Sequence, residues 1–297
     1  MKRRPAPRPL SSLLVALTLA GTASCSDKPQ TAKPGGAEAR RIEVVDADST
    51  KVDLTVPVHR VVSLVPSATQ TLDALGARSL LVGRTDFDTA TWSADIPSVG
   101  GGLHPSVETI VSLHPDLVIL FGGRQDPQTP TRLDELGIPH IAIRPDRIAD
   151  VKRSVEILGR VTGHLERADS LVSSMDRELA AVRTEVTGLP HPRVAYVLGG
   201  QPPWVAGPGT YIDELIGIAG GINVFADLDR LYAPVSPEQL VARRPDVVLL
   251  PPGATFDRTL VPGARVETVN GDLERPGPDV AEQARGLARL IHGSEHS

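Results

Sequence analysis

Short apolar runs alternate with segments of helical periodicity along most of the chain. Residues 60–65 and 117–121 are dominated by consecutive Val, Leu and Ile, a pattern typical of strands buried on both faces of a parallel sheet. Residues 68–75, 107–113 and 130–136 have apolar positions at helical spacing and predict helices between the strands. Strands that alternate with helices predict βαβ units, and therefore an α/β fold.

Two segments depart from this alternation. Residues 41–57 contain two alternating stretches around a polar turn, which predicts a leading β-hairpin. Residues 149–187 lack strand signals and keep one apolar stripe at helical spacing, which predicts a long helical spine with a break near Gly163. The spine divides the body into an N-terminal α/β lobe, 41–148, and a C-terminal α/β lobe, 188–297. We therefore expect two Rossmann-like lobes joined by a helical backbone, with a ligand cleft between the lobes that opens only slightly.

Two fifteen-residue segments, 106–120 and 236–250, resemble each other. Both carry Ser, Glu, Pro and Asp at the same spacing, and both end in a run of apolar residues. The Ser suits a helix N-cap, the Glu suits the first turn, and Pro-Asp suits the end of the helix before a buried strand. Glu108 and Glu238 are then equivalent positions in two duplicated lobes. The alternative is a chance likeness between two copies of a common helix–strand arrangement.

The N-terminus predicts export. A basic start precedes the apolar stretch 10–21, which has the length of a signal-peptide core and is too short to span a bilayer. Small residues before Cys25 resemble a bacterial lipoprotein processing site, although Thr22 stands where that pattern usually has Leu. We expect a signal peptide at 1–24, a lipid anchor on Cys25 and a flexible tether at 25–40. The alternative is an ordinary cleavage site beside an incidental cysteine.

Composition excludes several classes of protein. The net charge of −5 argues against nucleic-acid binding, which needs clustered positive charge. One cysteine excludes an intrachain disulfide and a cysteine-rich metal cluster. Among eight histidines the only i,i+4 pair is His292/His296, at the extreme C-terminus, so we predict no dedicated metal site. Nucleophile, phosphate-loop and dinucleotide motifs are also missing from the sequence, and we expect a protein that is not an enzyme.

An ordered set of motifs over residues 58–290 resembles the helical-backbone class of ABC-transporter substrate-binding proteins. The motifs are RVVSLVPSAT at 60–69, Val82-Gly83 with Asp86-Phe87, VGG at 99–101 with Val107-Glu108, PDLV at 115–118, PPWVAG at 202–207, GGINVF at 220–225, VSPEQ at 235–239 and Pro245-Asp246. Members of this class deliver cobalamin, ferric siderophores, haem or metal ions. SLVPS at 63–67 and PPW at 202–204 most resemble the cobalamin-binding branch.

The resemblance implies a set of site residues. Rings that would face a corrin fall at Phe87, Phe121, Trp204 and Tyr232, and a polar contact to it falls at Asp272. Trp92 is expected as a fifth aromatic residue at the cleft. Glu108 and Glu238 match the pair that meets arginines on the two permease subunits. Gly102 departs from the pattern, because the cobalamin branch often has an aromatic residue there.

The expected function is that of a monomeric, lipid-anchored receptor at the periplasmic or outer face of the cell membrane. It would capture cobalamin or a related corrinoid and pass it to an ABC permease dimer with its ATPase subunits, without a cofactor of its own. One alternative is a ferric-siderophore site lined by Arg and Tyr. Another is a haem site with Tyr232 or His104 as the axial ligand. A third is an extracytoplasmic enzyme on a two-lobed α/β fold.

Overall fold

The structure, a computed structural model, describes residues 39–123 and 125–293, apart from the side chain of Asp272. The predicted signal peptide at 1–24, the anchor residue Cys25 and most of the tether lie outside the described residues. Within the described ranges, no helix combines the length and apolar character needed to cross a membrane.

A β-hairpin leads into the first lobe. Strands β1 (Arg40–Val45) and β2 (Lys51–Val56) pair antiparallel, which confirms the predicted hairpin. At its turn, the buried carboxylate of Asp46 accepts hydrogen bonds from the backbone N–H groups of Thr50 and Ala142 at 2.8 and 3.0 Å. The second of these bonds fastens the turn to the sheet of the first lobe.

The first lobe is built on four parallel strands. Its elements are β3 (Val61–Ser63), α1 (Pro66–Ala74), β4 (Leu81–Gly83), α2 (Val107–Ser112), β5 (Leu117–Phe121), α3 (Gln128–Glu135) and β6 (His140–Ile143). The strand order is β4-β3-β5-β6. Helix α1 begins at Pro66, two residues earlier than predicted, because proline suits the first turn of a helix. All residues of β3 are buried, as predicted for a strand covered on both faces.

Two helices follow, α4 (Ile148–Thr162) and α5 (Leu165–Glu185). Gly163 ends α4 in the left-handed conformation with φ of 78°, which confirms the predicted break. The two helices approach closely at Gly159, where a Cβ would lie 2.4 Å from the Cβ of Ala168. This contact requires glycine.

The second lobe is built on a six-stranded mixed sheet. Its strands are β7 (Arg193–Gly199), β8 (Trp204–Ala206), β9 (Ile222–Asn223), β10 (Tyr232–Pro234), β11 (Val247–Leu250) and β12 (Arg265–Thr268). Its helices are α6 (Tyr211–Ile218), α7 (Pro237–Ala242) and α8 (Val280–His292). The order is β10-β8-β7-β11-β12, with β9 beside β7. The β7–β8 and β8–β10 pairs are antiparallel and the other pairs are parallel, so only β8 runs against the other strands.

One hydrophobic cluster runs through the hairpin, both lobes and the spine. It includes Leu54, Val61, Leu158, Leu215 and Leu249, all nearly inaccessible to solvent. Two smaller clusters fill the opposite faces of the two sheets. The predicted fold class of two Rossmann-like lobes joined by a helical backbone is confirmed, while the domain boundaries at 148 and 187 stay predictions.

The two lobes repeat the same hydrogen bonds. Asp116 accepts from the backbone N–H of Arg60 at 3.0 Å, and Asp246 accepts from that of Arg193 at 2.8 Å. Each of these arginine side chains donates to the carbonyl oxygens that follow a short helix: Leu113 and His114 in the first lobe, Arg243 and Arg244 in the second. His114 and Arg244 also share a positive φ, 47° and 46°. The likeness of the two segments therefore extends to their three-dimensional contacts.

Candidate ligand-binding cleft

One cavity of about 320 Å³ is lined by residues from both lobes. The first lobe contributes Phe121 at the end of β5 and Asp146 after β6. Both lie at the carboxyl ends of parallel strands, where ligands bind in open α/β sheets. The second lobe contributes Tyr196 from β7, Tyr232 from β10 and Glu274 from the turn after β12. We refer to this space as the interlobe cavity.

All three tyrosines of the chain line the interlobe cavity. The hydroxyl of Tyr211 donates a hydrogen bond to the carbonyl oxygen of Leu273. Tyr196 is only 2% exposed, and its hydroxyl has no hydrogen-bond partner among the described residues. Burial raises the pKa of Tyr232 to about 12 and raises the pKa of Tyr196 and Tyr211 above the usual value. The cavity wall therefore carries neutral phenols at physiological pH.

Two carboxylates share this cavity with the phenols. Burial raises the pKa of Asp146 and of Glu274 above the usual carboxyl value. The Nε of Arg144 lies 2.7 Å from a carboxylate oxygen of Asp146, and the charge of Arg275 acts on Glu274 in the opposite direction to burial. The lining therefore offers both hydrogen-bond acceptors and hydrogen-bond donors.

Three of the four predicted aromatic residues are exposed. Phe87, Trp204 and Phe121 have exposed fractions of 62%, 47% and 37%. Solvent-exposed rings of this size are not core residues, and exposed apolar groups mark binding surfaces when they lie together. Phe121 and Tyr232 line the interlobe cavity, whereas Phe87 and Trp204 are not part of its lining.

Trp204 lies beside Tyr232 through strand pairing. In the antiparallel β8–β10 pair, Trp204 is opposite Pro234 and Ala206 is opposite Tyr232. Opposite residues point to the same face, and so do residues two apart along a strand. The rings of Trp204 and Tyr232 therefore share one face of this pair, and the aromatic surface continues from the cavity to Trp204.

Gly101 lies beside the ring of Phe87, and Gly102 lies against the backbone of Leu64. A Cβ on Gly101 would lie 3.8 Å from the ring of Phe87. A Cβ on Gly102 would lie 2.5 Å from the carbonyl oxygen of Leu64, closer than any side chain tolerates. An aromatic residue at 102 would therefore require the backbone here to move.

Three further residues were expected at or near the cleft, and the structure places two of them. Trp92 packs against the hydrophobic core, with the guanidinium of Arg78 4.2 Å from its ring centre, and it is not part of the lining of the interlobe cavity. His104 is exposed and lines none of the described cavities. Asp272 lies in the 3-10 turn Gly271–Glu274, but its side chain is outside the described residues.

The two predicted docking glutamates occupy matching sites. Each lies exposed in the first turn of a short helix whose N-cap is a serine, Ser106 for Glu108 and Ser236 for Glu238. A hydrogen bond from Ser236 lowers the pKa of Glu238. Within residues 39–123 and 125–293, no group of three or more His, Cys, Asp and Glu side chains is arranged to hold a metal ion.

A family profile described as periplasmic binding protein matches residues 61–260. The chain belongs to this family. It is 33% identical over 276 residues to the cobalamin-binding protein of Halobacterium salinarum, covering 84% of this chain and 73% of that protein. It is 25% identical over 298 residues to a protein of Bacillus subtilis named an ABC transporter substrate-binding lipoprotein, covering 94% and 95% of the two chains.

The solved structure of a periplasmic haem-binding protein from Roseiflexus sp. RS-1, in apo form, also resembles this periplasmic binding protein. The TM-score is 0.68 at 26% identity, and the match covers 79% of this chain and 98% of that one. The resemblance inferred from the sequence is confirmed at the level of the family and of its two-lobed fold. Relatives named for cobalamin and for haem both occur, so the ligand is a separate question.

Sequence reasoning missed several residues that line the cavity of this periplasmic binding protein. Tyr196 lies inside an apolar strand and has the sequence signature of a core residue. Tyr211 follows a Gly-Pro-Gly-Thr loop, and such a loop at a helix start was a usable signal. Asp146 and Glu274 carry no motif, although Glu274 is only two residues from the predicted Asp272. Their grouping depends on contacts between lobes that no local pattern records.

Proposed function

We propose that this periplasmic binding protein captures cobalamin or a related corrinoid outside the cytoplasm and delivers it to an ABC importer. The observation that carries the proposal is the aromatic surface on both lobes. Phe87 and Phe121 belong to the first lobe, and Trp204 and Tyr232 to the second. Rigid rings, three of them exposed in the free protein, suit a broad, flat ligand with an apolar face.

The size of the interlobe cavity fits this proposal only if the ligand extends beyond it. A space of about 320 Å³ is near the lower limit for small-molecule sites and too small for a whole corrinoid. The exposed ring of Trp204 extends the contact surface outward from Tyr232 on the second lobe, and in this proposal the exposed ring of Phe87 does the same on the first lobe. A corrin covering them would insert only its polar rim into the cavity.

Haem or a ferric siderophore is the second candidate. The likeness to the haem-binding protein of Roseiflexus and the three cavity tyrosines favour it. Axial ligation by Tyr232, however, needs a phenolate, and burial together with the carboxylates of Asp146 and Glu274 raises the pKa of this phenol to about 12. These carboxylates would also repel the propionates of haem. The corrinoid is therefore the better match.

The proposed delivery has two further parts. Lipidation of Cys25 would hold the protein at the outer face of the membrane, and residues 25–40 would serve as its tether. Glu108 and Glu238 would each meet an arginine on one subunit of the permease dimer, because a pseudo-symmetric carrier presents two equivalent carboxylates to a symmetric partner. Such a carrier acts as a monomer and carries out no catalysis.

Uptake measurements test the proposal. Cells that lack this gene are expected to lose high-affinity uptake of radiolabelled cobalamin, and the wild-type gene supplied on a plasmid should restore it. Haem-dependent growth of the same cells should be unaffected. Unchanged cobalamin uptake combined with a loss of haem use would refute the corrinoid assignment and establish the second candidate.

A further inference from the structure

The hydroxyl of Tyr196 is buried without a hydrogen-bond partner in the described part of the free protein. Its side chain is 2% exposed, its ring lines the interlobe cavity, and its hydroxyl finds no partner among the described residues. A buried hydroxyl without a partner destabilises the fold, and such groups are rare in folded proteins. Tyr211 lines the same cavity, but its hydroxyl is satisfied by the carbonyl oxygen of Leu273. Of these two hydroxyl groups, only that of Tyr196 has a hydrogen bond left to make to a ligand.

The charged groups around the cavity restrict the chemistry of that ligand. Glu274 and Asp146 supply carboxylate oxygens, and burial raises the pKa of both, so the protein holds them there at a cost. Arg144 pairs with Asp146 at 2.7 Å, and Arg275 lies next to Glu274 in the lining. A ligand carboxylate would meet the carboxylates of Asp146 and Glu274 here, and a purely apolar group would leave the Tyr196 phenol without a partner.

We propose that Tyr196 and Glu274, with Asp146 on the opposite lobe, form a subsite for a primary carboxamide of the ligand. The carbonyl oxygen of an amide accepts a hydrogen bond from the phenol, and its two N–H groups donate to the carboxylates. The inference rests on the proposed function, since a corrin carries primary amides around its rim. It adds a basis for selectivity, because the site accepts an amide and rejects the corresponding carboxylate.

Calorimetric titration with matched ligands tests the subsite. The probes are cyanocobalamin and its monocarboxylic acids, in each of which one peripheral amide is hydrolysed. We expect at least one acid to bind wild-type protein about tenfold or more weakly than cyanocobalamin, the loss typical of a hydrogen bond that involves a charged group. Glu274→Gln should narrow this gap, because it removes the repulsion. If every acid binds as tightly as the parent compound, the inference is wrong.

Tyr196→Phe separates ligand recognition from packing. The variant should bind cyanocobalamin about fivefold more weakly, the loss of one neutral hydrogen bond. It should also raise the Tm of the free protein, because it removes a buried hydroxyl without a partner. The matched control is Tyr211→Phe, which should lower the Tm and keep the preference for amide over acid. Unchanged cyanocobalamin affinity in Tyr196→Phe would overturn the proposal.

Failure of the proposed function gives a different result. If wild-type protein does not bind cyanocobalamin, the corrinoid assignment falls, and the same titration is run with haem and with haem whose two propionates are converted to amides. Preference for the amide form supports the subsite, and preference for haem itself overturns it. If neither pair binds, the proposed function and the subsite fall together.

Discussion

Replacement of Trp204 by alanine probes the aromatic surface most directly. Trp204 is 47% exposed in the free protein and shares a face of the β8–β10 pair with Tyr232. A tryptophan side chain presents roughly 250 Å², so roughly half of that area is open for a ligand to cover. At about 25 cal/mol per Å² of apolar surface, full coverage contributes up to about 3 kcal/mol.

The expected loss of affinity is therefore about 1–3 kcal/mol, which is about 5- to 150-fold in Kd. Calorimetric titration of Trp204→Ala with cyanocobalamin measures it, and circular dichroism confirms that the variant is folded. The matched control is Trp92→Phe. Trp92 packs against the core beneath Arg78, so this change should lower the Tm and leave Kd within about twofold of wild type.

Equal affinity in a normally folded Trp204→Ala variant would refute the reasoning. It would mean that the ligand does not cover this ring and that the exposed aromatic surface is not the contact surface. A loss of affinity in Trp92→Phe as large as that in Trp204→Ala would have the same consequence, because a general effect on the fold would then account for both.

Three further predictions concern the anchor, the permease and the spine. Cys25→Ser should release the protein from the membrane fraction, and unchanged fractionation would exclude lipidation. The double variant Glu108→Gln/Glu238→Gln should keep ligand affinity and abolish uptake. Normal uptake would show that neither glutamate docks to the permease and that both only stabilise the start of a helix. Gly159→Ala should lower the free energy of unfolding by about 1–3 kcal/mol through overpacking against α5, measured in urea. Gly217→Ala, in open space, should instead raise it by up to about 1 kcal/mol, and equal effects at both sites would contradict the close contact.

Local pattern was enough to predict most of the elements. Strand β5 was predicted at its observed bounds, because a run of apolar residues between Pro-Asp and glycines leaves few alternatives. The hairpin and the break at Gly163 followed from turn and cap chemistry that acts within a few residues. The equivalence of the two lobes followed from side chains such as Asp116 and Asp246, whose backbone partners recur at nearly the same spacing.

The composition of the cleft could not be predicted in the same way. The register of β7 decides whether the Tyr196 side chain points into the cavity or away from it, because a shift of one residue would move the side chain to the other face of the sheet. The contact of Trp92 with Arg78 could not be predicted, because the two residues come from separate turns of the chain and the sequence around a ring does not show whether a guanidinium stacks on it. Glu274 and Asp146 come together only through packing of the two lobes.

A tryptophan-fluorescence titration of the Trp92→Phe variant tests the central claim most directly, because Trp204 is then the only tryptophan. The ligands are cyanocobalamin, cobinamide, haem and ferric hydroxamate and catecholate siderophores, with correction for ligand absorbance. The account predicts saturable quenching with one ligand per protein, tightest for the corrinoids. Absence of quenching by both corrinoids, or tighter binding of haem or a siderophore, would contradict it.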